Sequence, residues 1–279
     1  MDDFREDRGA HDVASLVNLT QYPIDGLGRE TGHELVARCR DRLNDSGALV
    51  LSGFLTPAAT SMLAAEARGL DWAVHDYHAD HTVYFEPHDD SLPEFHPRRR
   101  RVRTDKGSVA YDLIPRNALL RRLYEWDPLL GFVAAVLGEP RLYRHGDPMA
   151  ALNINVHHEG QQLGWHFDRT DFAVTLSLQR SEVGGIFEYV PNLRSAANDN
   201  FDGVTSVLDG NRDGIRVLSA EPGTLTLFRG HYSLHRVSPG SGLAKRLMAA
   251  LSYVREPGVL FSPYARTLFY GRDTPVNQK

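Results

Sequence analysis

The chain has 279 residues, 42% of them hydrophobic and 24% charged, so it can bury a substantial core. A net charge of −5 gives no basic balance, which turns the reading away from nucleic acid and towards a small-molecule partner. The single cysteine, Cys39, excludes an internal disulfide and suits a cytoplasmic setting. The charged stretch Met1–Arg8 does not read as a signal peptide, and no apolar run reaches the length of a membrane span.

Residues 1–30 read as a polar, loosely packed arm. Thr31-Gly32-His33-Glu34 matches a capping box, and Leu35, Val36, Cys39 and Leu43 follow at helical spacing up to a stop at Gly47. Ala48–Leu51 reads as a short buried strand. Thr56-Pro57 opens a second helix that ends near Gly69. Residues 71–115 hold five histidines and the run Arg98–Arg101 without clean periodicity. They read as an irregular lid loop in which Arg101 or Arg103 could clamp a substrate carboxylate, although a solvated loop is the plainer reading. Helices are expected over Asn117–Trp126 and from Asp127-Pro128 to Gly138.

From Arg141 the chain changes to short β-type segments separated by turn residues: 141–144, 151–157, 172–179, 185–190, 215–219, 224–228 and 247–254. This rhythm indicates an all-β sandwich or barrel, interrupted by a polar insertion with a helical turn at Phe201–Leu208. The whole chain, 1–279, is read as one domain, a helical part over 1–140 and a β core over 141–279.

The chemistry centres on Gly164-Trp165-His166-Phe167-Asp168. On extended backbone His166 and Asp168 point to the same side and can reach one ion. A second histidine would complete the 2-His-1-carboxylate face of a non-heme Fe(II) site. His235, flanked by Leu234 and Val237, is preferred to His231, which sits beside Gly230 in what reads as a turn. Arg246, at the head of a row with Met248, Ala250 and Ser252, can pair a carboxylate bidentately, such as the distal one of 2-oxoglutarate. Asn153, Asn155 and His157 alternate with apolar neighbours, as do Thr175, Ser177 and Gln179. Alternation alone leaves open whether these faces meet solvent or line a barrel interior.

Taken together, His166-Phe167-Asp168, His235 and Arg246 resemble the Fe(II)/2-oxoglutarate-dependent oxygenases. Trp165–Leu176, Gly184–Pro191, Leu234–Val237 and Tyr270-Gly271-Arg272 are more narrowly similar to the branch of free-amino-acid radical halogenases and their hydroxylase relatives. The resemblance covers about 141–272. It implies a mainly β, α+β fold: a double-stranded β-helix (jelly-roll, cupin-like) core with N-terminal helices packed outside. It implies Fe(II) held by His166, Asp168 and His235, and 2-oxoglutarate held by Arg246 with Thr175, Asn155 and Ser252 in support. O2 would then oxidise the cosubstrate to succinate and CO2 while an unactivated C–H bond is attacked.

The halogenases carry a small residue where this chain has Asp168, so hydroxylation is expected by default, with desaturation or ring closure on the same site as the alternatives. The branch favours free amino acids, lysine prominent, as in natural-product biosynthesis. An ammonium would need acidic partners such as Glu159, Asp171 or Glu188, whereas an inward Arg169 would favour an anionic end. Arg169, Asn153, His157, Arg103 and Trp165 are the candidate substrate contacts. A homodimer stays open. A non-catalytic cupin-like metal-binding protein and a metal-dependent isomerase or hydrolase on the same barrel are the rival readings.

Overall fold

The computed structural model describes residues 12–87 and 89–276, so Met1–Arg8 and His88 lie outside the described residues. The described part of the N-terminal arm, from Asp12 on, is packed rather than loose. Leu16 and Ile24, in two short 3-10 turns, are buried in the main core.

Helix α1 (Glu30–Ser46) starts one residue before the expected cap. Arg29 occupies the cap position without a side-chain hydrogen bond, so the Thr31 capping box does not form. Its buried stripe is Leu35, Cys39 and Leu43, and Gly47 ends it in the left-handed conformation that only glycine adopts without cost. Strand β1 (Ala48–Leu51) follows, then α2 (Pro57–Gly69), where the Thr56 side chain accepts from the Ala59 amide. The segment expected to be irregular holds two strands, β2 (His75–His81) and β3 (Val102–Val109), paired antiparallel along their lengths. Among the described residues, the long connection between them carries no helix or strand. It is fastened by its arginines, Arg98 to Asp199 and Arg100 to Asp209, rather than left solvated.

Helices α3 (Leu119–Tyr124) and α4 (Asp127–Leu137) come next, followed by β4 (Tyr143–Arg144), β5 (Leu152–His157), β6 (Leu163–His166), β7 (Ala173–Gln179), β8 (Val183–Gly184) and β9 (Phe187–Val190). After α5 (Phe201–Leu208) come β10 (Arg216–Leu218), β11 (Leu225–Phe228), β12 (Leu234–Val237), β13 (Gly240–Ser241), β14 (Arg246–Leu251) and β15 (Tyr253–Val254). A last helix, α6 (Pro263–Tyr270), was not anticipated from the sequence; Ser262 caps it by accepting from the Ala265 amide.

Two antiparallel sheets form the core, with strand orders β1–β11–β7–β14–β5–β3–β2 and β10–β9–β12–β6. Three strands of the larger sheet precede residue 141, so the sheet does not respect the expected division between a helical part and a β core. The alternation along its strands settles which face is inside. Leu152, Ile154, Val156, Val174, Leu176, Leu225, Leu227, Leu247 and Ala249 point outward into the core shared with α1–α4. Asn155, His157, Thr175, Thr226, Arg246, Met248 and Ala250 point the other way, into a cavity walled also by Leu163, Phe187 and Val237 of the smaller sheet. A second apolar cluster, including Trp165, Phe167, Val190, Leu234 and α5 residues Val204 and Val207, backs the smaller sheet. The architecture is a jelly roll with helices outside. Among the described residues no helix is long and apolar enough to cross a membrane.

Candidate metal centre and active site

The cavity between the sheets has a volume of about 300 Å³, at the small end of ligand pockets. At its wall, β12 and β6 pair in a register that sets His235 directly opposite His166. Asp168 lies just past the end of β6, where its amide donates to the Gly230 carbonyl at 3.1 Å while Phe167 turns back into the second core. Asp168 Oδ1 is 3.5 Å from His166 Nε2 and 3.4 Å from His235 Nε2. One ligand atom from each of the three residues falls within 4.8 Å of the others, and among the described residues this is the metal-capable cluster.

The tautomers are set by the backbone. His166 Nδ1 lies 2.8 Å from the Gly164 carbonyl and His235 Nδ1 lies 2.9 Å from the Ser233 carbonyl. A carbonyl only accepts, so each Nδ1 carries a proton and each Nε2 is the nitrogen turned towards Asp168. Hydrogen-bonded, backbone-oriented imidazoles are the usual support of metal-binding histidines. Burial, then the neighbouring His235, push the His166 pKa down to about 4, against the pull of Asp168. Burial favours the neutral form of Asp168, but the two imidazoles outweigh it and hold the carboxyl well below its usual range. Two imidazole nitrogens and a carboxylate oxygen converging on one point fit a divalent non-heme iron site with open positions.

Gly230 is the residue that the sequence did not flag. A Cβ placed on it would lie 1.9 Å from Asp168 Oδ2, so the carboxylate reaches its position only because this neighbour has no side chain. His231 is not part of the cluster; its Nδ1 lies 3.1 Å from the Asp168 carbonyl.

Arg246 is buried at the cavity wall, beside His157 in the β14–β5 register, and burial lowers its pKa to about 10. No carboxylate among the described residues pairs with it within 4.0 Å. His157 is also buried, and neither of its ring nitrogens has a partner. Burial, then Arg246 and Lys106, hold it well below its ordinary value, so it is neutral. These polar groups, aimed into a cavity without protein partners, fit a site built to take an anionic ligand beside a metal.

Of the expected site residues, the fold brings His166, Asp168, His235, Arg246, Thr175, Asn155 and His157 to one cavity. The others are not in its wall. Ser252 follows the end of β14, where its carbonyl accepts from the His145 amide. Asn153 donates to the Tyr270 hydroxyl at 3.5 Å. Arg103 pairs with Asp105, and Trp165 packs in the second core under the Arg236 guanidinium. Arg169 is exposed and donates to the Phe85 carbonyl, so it braces a cavity-wall residue from outside.

Nor do the carboxylates considered for an ammonium reach the cavity. Glu159 is exposed, Asp171 pairs with Arg255, and Glu188 pairs with Arg212 and Arg236 behind the smaller sheet. Sequence reasoning missed Lys106, Tyr77, Phe85, Thr226 and Phe269, which also line the cavity. Tyr77 and Lys106 come from the β2–β3 hairpin and Phe269 from α6, elements hidden by charged residues or not anticipated.

A model of the halogenase D (HalD) family matches residues 31–259. The chain belongs to this family. No curated protein matches it in sequence. Solved structures similar to this family member include an oxidoreductase of the 2OG-Fe(II) oxygenase family from Burkholderia pseudomallei, at 14% identity and a TM-score of 0.53, covering 79% of this chain and 91% of that one. The non-heme alpha-ketoglutarate-dependent epimerase SnoN of nogalamycin biosynthesis matches at 16% identity and 0.54, covering 81% and 88%. The carbocyclase SnoK of the same pathway matches at 14% and 0.53, covering 87% and 93%. At such identities the likeness is one of fold, and it is the 2-oxoglutarate oxygenase fold.

Proposed function

We propose that the protein is an Fe(II)- and 2-oxoglutarate-dependent oxygenase, a single domain acting on a C–H bond of a small, amino-acid-sized molecule, with hydroxylation as the outcome. The observation that carries the reading is the convergence of His166, Asp168 and His235 at the end of a cavity whose wall also bears the carboxylate-free Arg246. The cofactors named in the similar structures point the same way: SnoN, for example, is described in complex with Fe3+ and alpha ketoglutarate.

In this reading His166, Asp168 and His235 hold the iron. Arg246 holds the distal carboxylate of 2-oxoglutarate, and Thr175 and Asn155 support it from neighbouring strands. The chemistry supplied by Fe(II), 2-oxoglutarate and O2 is oxidation of the cosubstrate to succinate and CO2, coupled to oxidation of the substrate C–H bond. Asp168 fills the position that a halide needs in the halogenases this chain resembles, so oxygen rather than halogen is transferred. Phe85, Phe187 and Phe228 keep the chamber apolar around the cluster and restrict water.

Oxygen uptake over a panel of small amino acids and acids, with product mass recorded, tests the reading. Succinate formation that requires Fe(II), with a gain of one oxygen in the product, is expected. A loss of two hydrogens would replace hydroxylation by desaturation or ring closure. A chlorinated product in the presence of chloride would overturn the assignment of Asp168. Undiminished succinate formation in both His166→Ala and His235→Ala would remove the metal centre.

A further inference from the structure

Lys106 is a cation that neither the fold nor the iron site accounts for. It sits on β3 next to Gly107, which pairs with Val156, and its side chain enters the cavity rather than leaving the sheet. The amine donates to Asn155 Oδ1 and lies 5.8 Å from the Tyr77 ring centroid and 5.9 Å from that of Phe269. No carboxylate among the described residues lies within 4.0 Å of it. Burial, then the nearby Arg246, push its pKa down to about 8 against the distant pull of Asp168. Lysine is rarely enclosed without a counter-charge, because the desolvation cost is recovered only by a paired anion.

The charges of the assembled site show what is missing. This count rests on the iron and cosubstrate reading above. Fe(II) and the 2-oxoglutarate dianion cancel, Arg246 and Asp168 cancel, and His157 is neutral. The charge of Lys106 is left over. Asp168 is the sole carboxylate among the described cavity-wall residues, so an ammonium on the substrate would find two cations and no anion beyond the metal ligand.

We propose that Lys106 anchors a carboxylate of the substrate, and that the molecule oxidised is a small monoanionic acid with an uncharged body. Tyr77, Phe85 and Phe269 supply the apolar faces against which that body packs.

The test uses the protein loaded anaerobically with Fe(II) and 2-oxoglutarate. The probes are small carboxylic acids, aliphatic and phenyl-substituted, each matched with its primary amide and its amine. Binding is followed by calorimetry. The expected result is at least one acid that binds tenfold or more tightly than its amide and amine. That preference should vanish in Lys106→Met and be partly kept in Lys106→Arg, with 2-oxoglutarate affinity in Lys106→Met within about twofold of the wild type. Melting curves of both variants verify the fold.

Tightest binding by amines or amides overturns the proposal, as does an acid preference that survives Lys106→Met, or no binding by any acid. A tenfold loss of 2-oxoglutarate affinity in Lys106→Met also overturns it, making Lys106 a cosubstrate anchor instead. Failure of the wild type to bind 2-oxoglutarate at all overturns the oxygenase reading first and this proposal with it.

Discussion

At the scale of single residues, the account turns on how closely Asp168 is held. Its Oδ2 occupies space next to Gly230 that any Cβ would take. We therefore expect Gly230→Ala to displace the carboxylate and weaken Fe(II) binding by about 10–100-fold, the usual range for changes that disturb a ligand's support. The global melting transition of the metal-free protein should change little. Metal content after desalting, compared with the melting curve, separates this from unfolding; full retention of iron would contradict the role given to Gly230. That the side chains of His166, Asp168 and His235 would converge, with His231 outside, was legible in the sequence because side-chain type and strand alternation are local rules. Gly230 was not legible, because its importance lies in a contact between residues 62 positions apart in the chain. The orientation of Arg169 was equally hidden: alternation does not say that the guanidinium turns outward to the Phe85 carbonyl.

At the scale of elements, α6 lends Phe269 to the cavity wall, and a buried carboxylate fastens the helix. Asp147 accepts from the amides of Met149, Ala150 and Phe261 at 2.8, 3.1 and 2.9 Å, and from Arg266 Nε at 2.8 Å. Asp112 pairs with Arg272 just beyond the helix. Replacing Asp147 with Ala strands a cation and several amides, at a cost of about 3–5 kcal/mol in denaturant unfolding. Because Phe269 of α6 lines the cavity, the same change should raise KM more than it lowers kcat.

A pH dependence follows from the same group. Burial raises the Asp147 pKa, but the amides and Arg266 outweigh it, and the net shift is downward. A folded pKa below the unfolded value of about 3.9 gives stability that is complete above that value and is lost as pH falls through the folded one. Stability of the wild type should therefore fall more steeply below about pH 4 than that of Asp147→Asn. Parallel acid-unfolding curves for the two would exclude this linkage. The helix itself was overlooked in the sequence although Ser262-Pro263 is a recognisable start, because its apolar residues pack on a hairpin that also went unread. In that hairpin, β2 is His75-Asp76-Tyr77-His78-Ala79-Asp80-His81, whose alternate residues are half-buried against cavity and helix rather than apolar. Its strand character comes from pairing with β3, which no local pattern reveals.

At the scale of the molecule, the jelly roll divides its residues by face. The outward face of the larger sheet makes the core with the helices, and the inward face makes the site. The late strands, their order of occurrence and the helix at 201–208 were readable from periodicity and turn residues. Which face looks inward was not, since alternation is symmetric until the helices are placed. A site assembled from strands far apart in sequence couples ligands to global stability. Fe(II) and 2-oxoglutarate together should raise the melting temperature, because a ligand at a hundredfold excess over its Kd adds about 2.7 kcal/mol. Neither Arg246→Met nor His235→Ala should show the full gain.

The central claim is that His166, Asp168, His235 and Arg246 form one iron and 2-oxoglutarate site. Its most direct test is an anaerobic titration of the Fe(II)-loaded protein with 2-oxoglutarate, followed in the visible spectrum. The account predicts an absorption band that saturates at one equivalent in the wild type, is absent in His235→Ala, and requires at least tenfold more 2-oxoglutarate in Arg246→Met. No band in the wild type, or an unchanged band in His235→Ala, would contradict it.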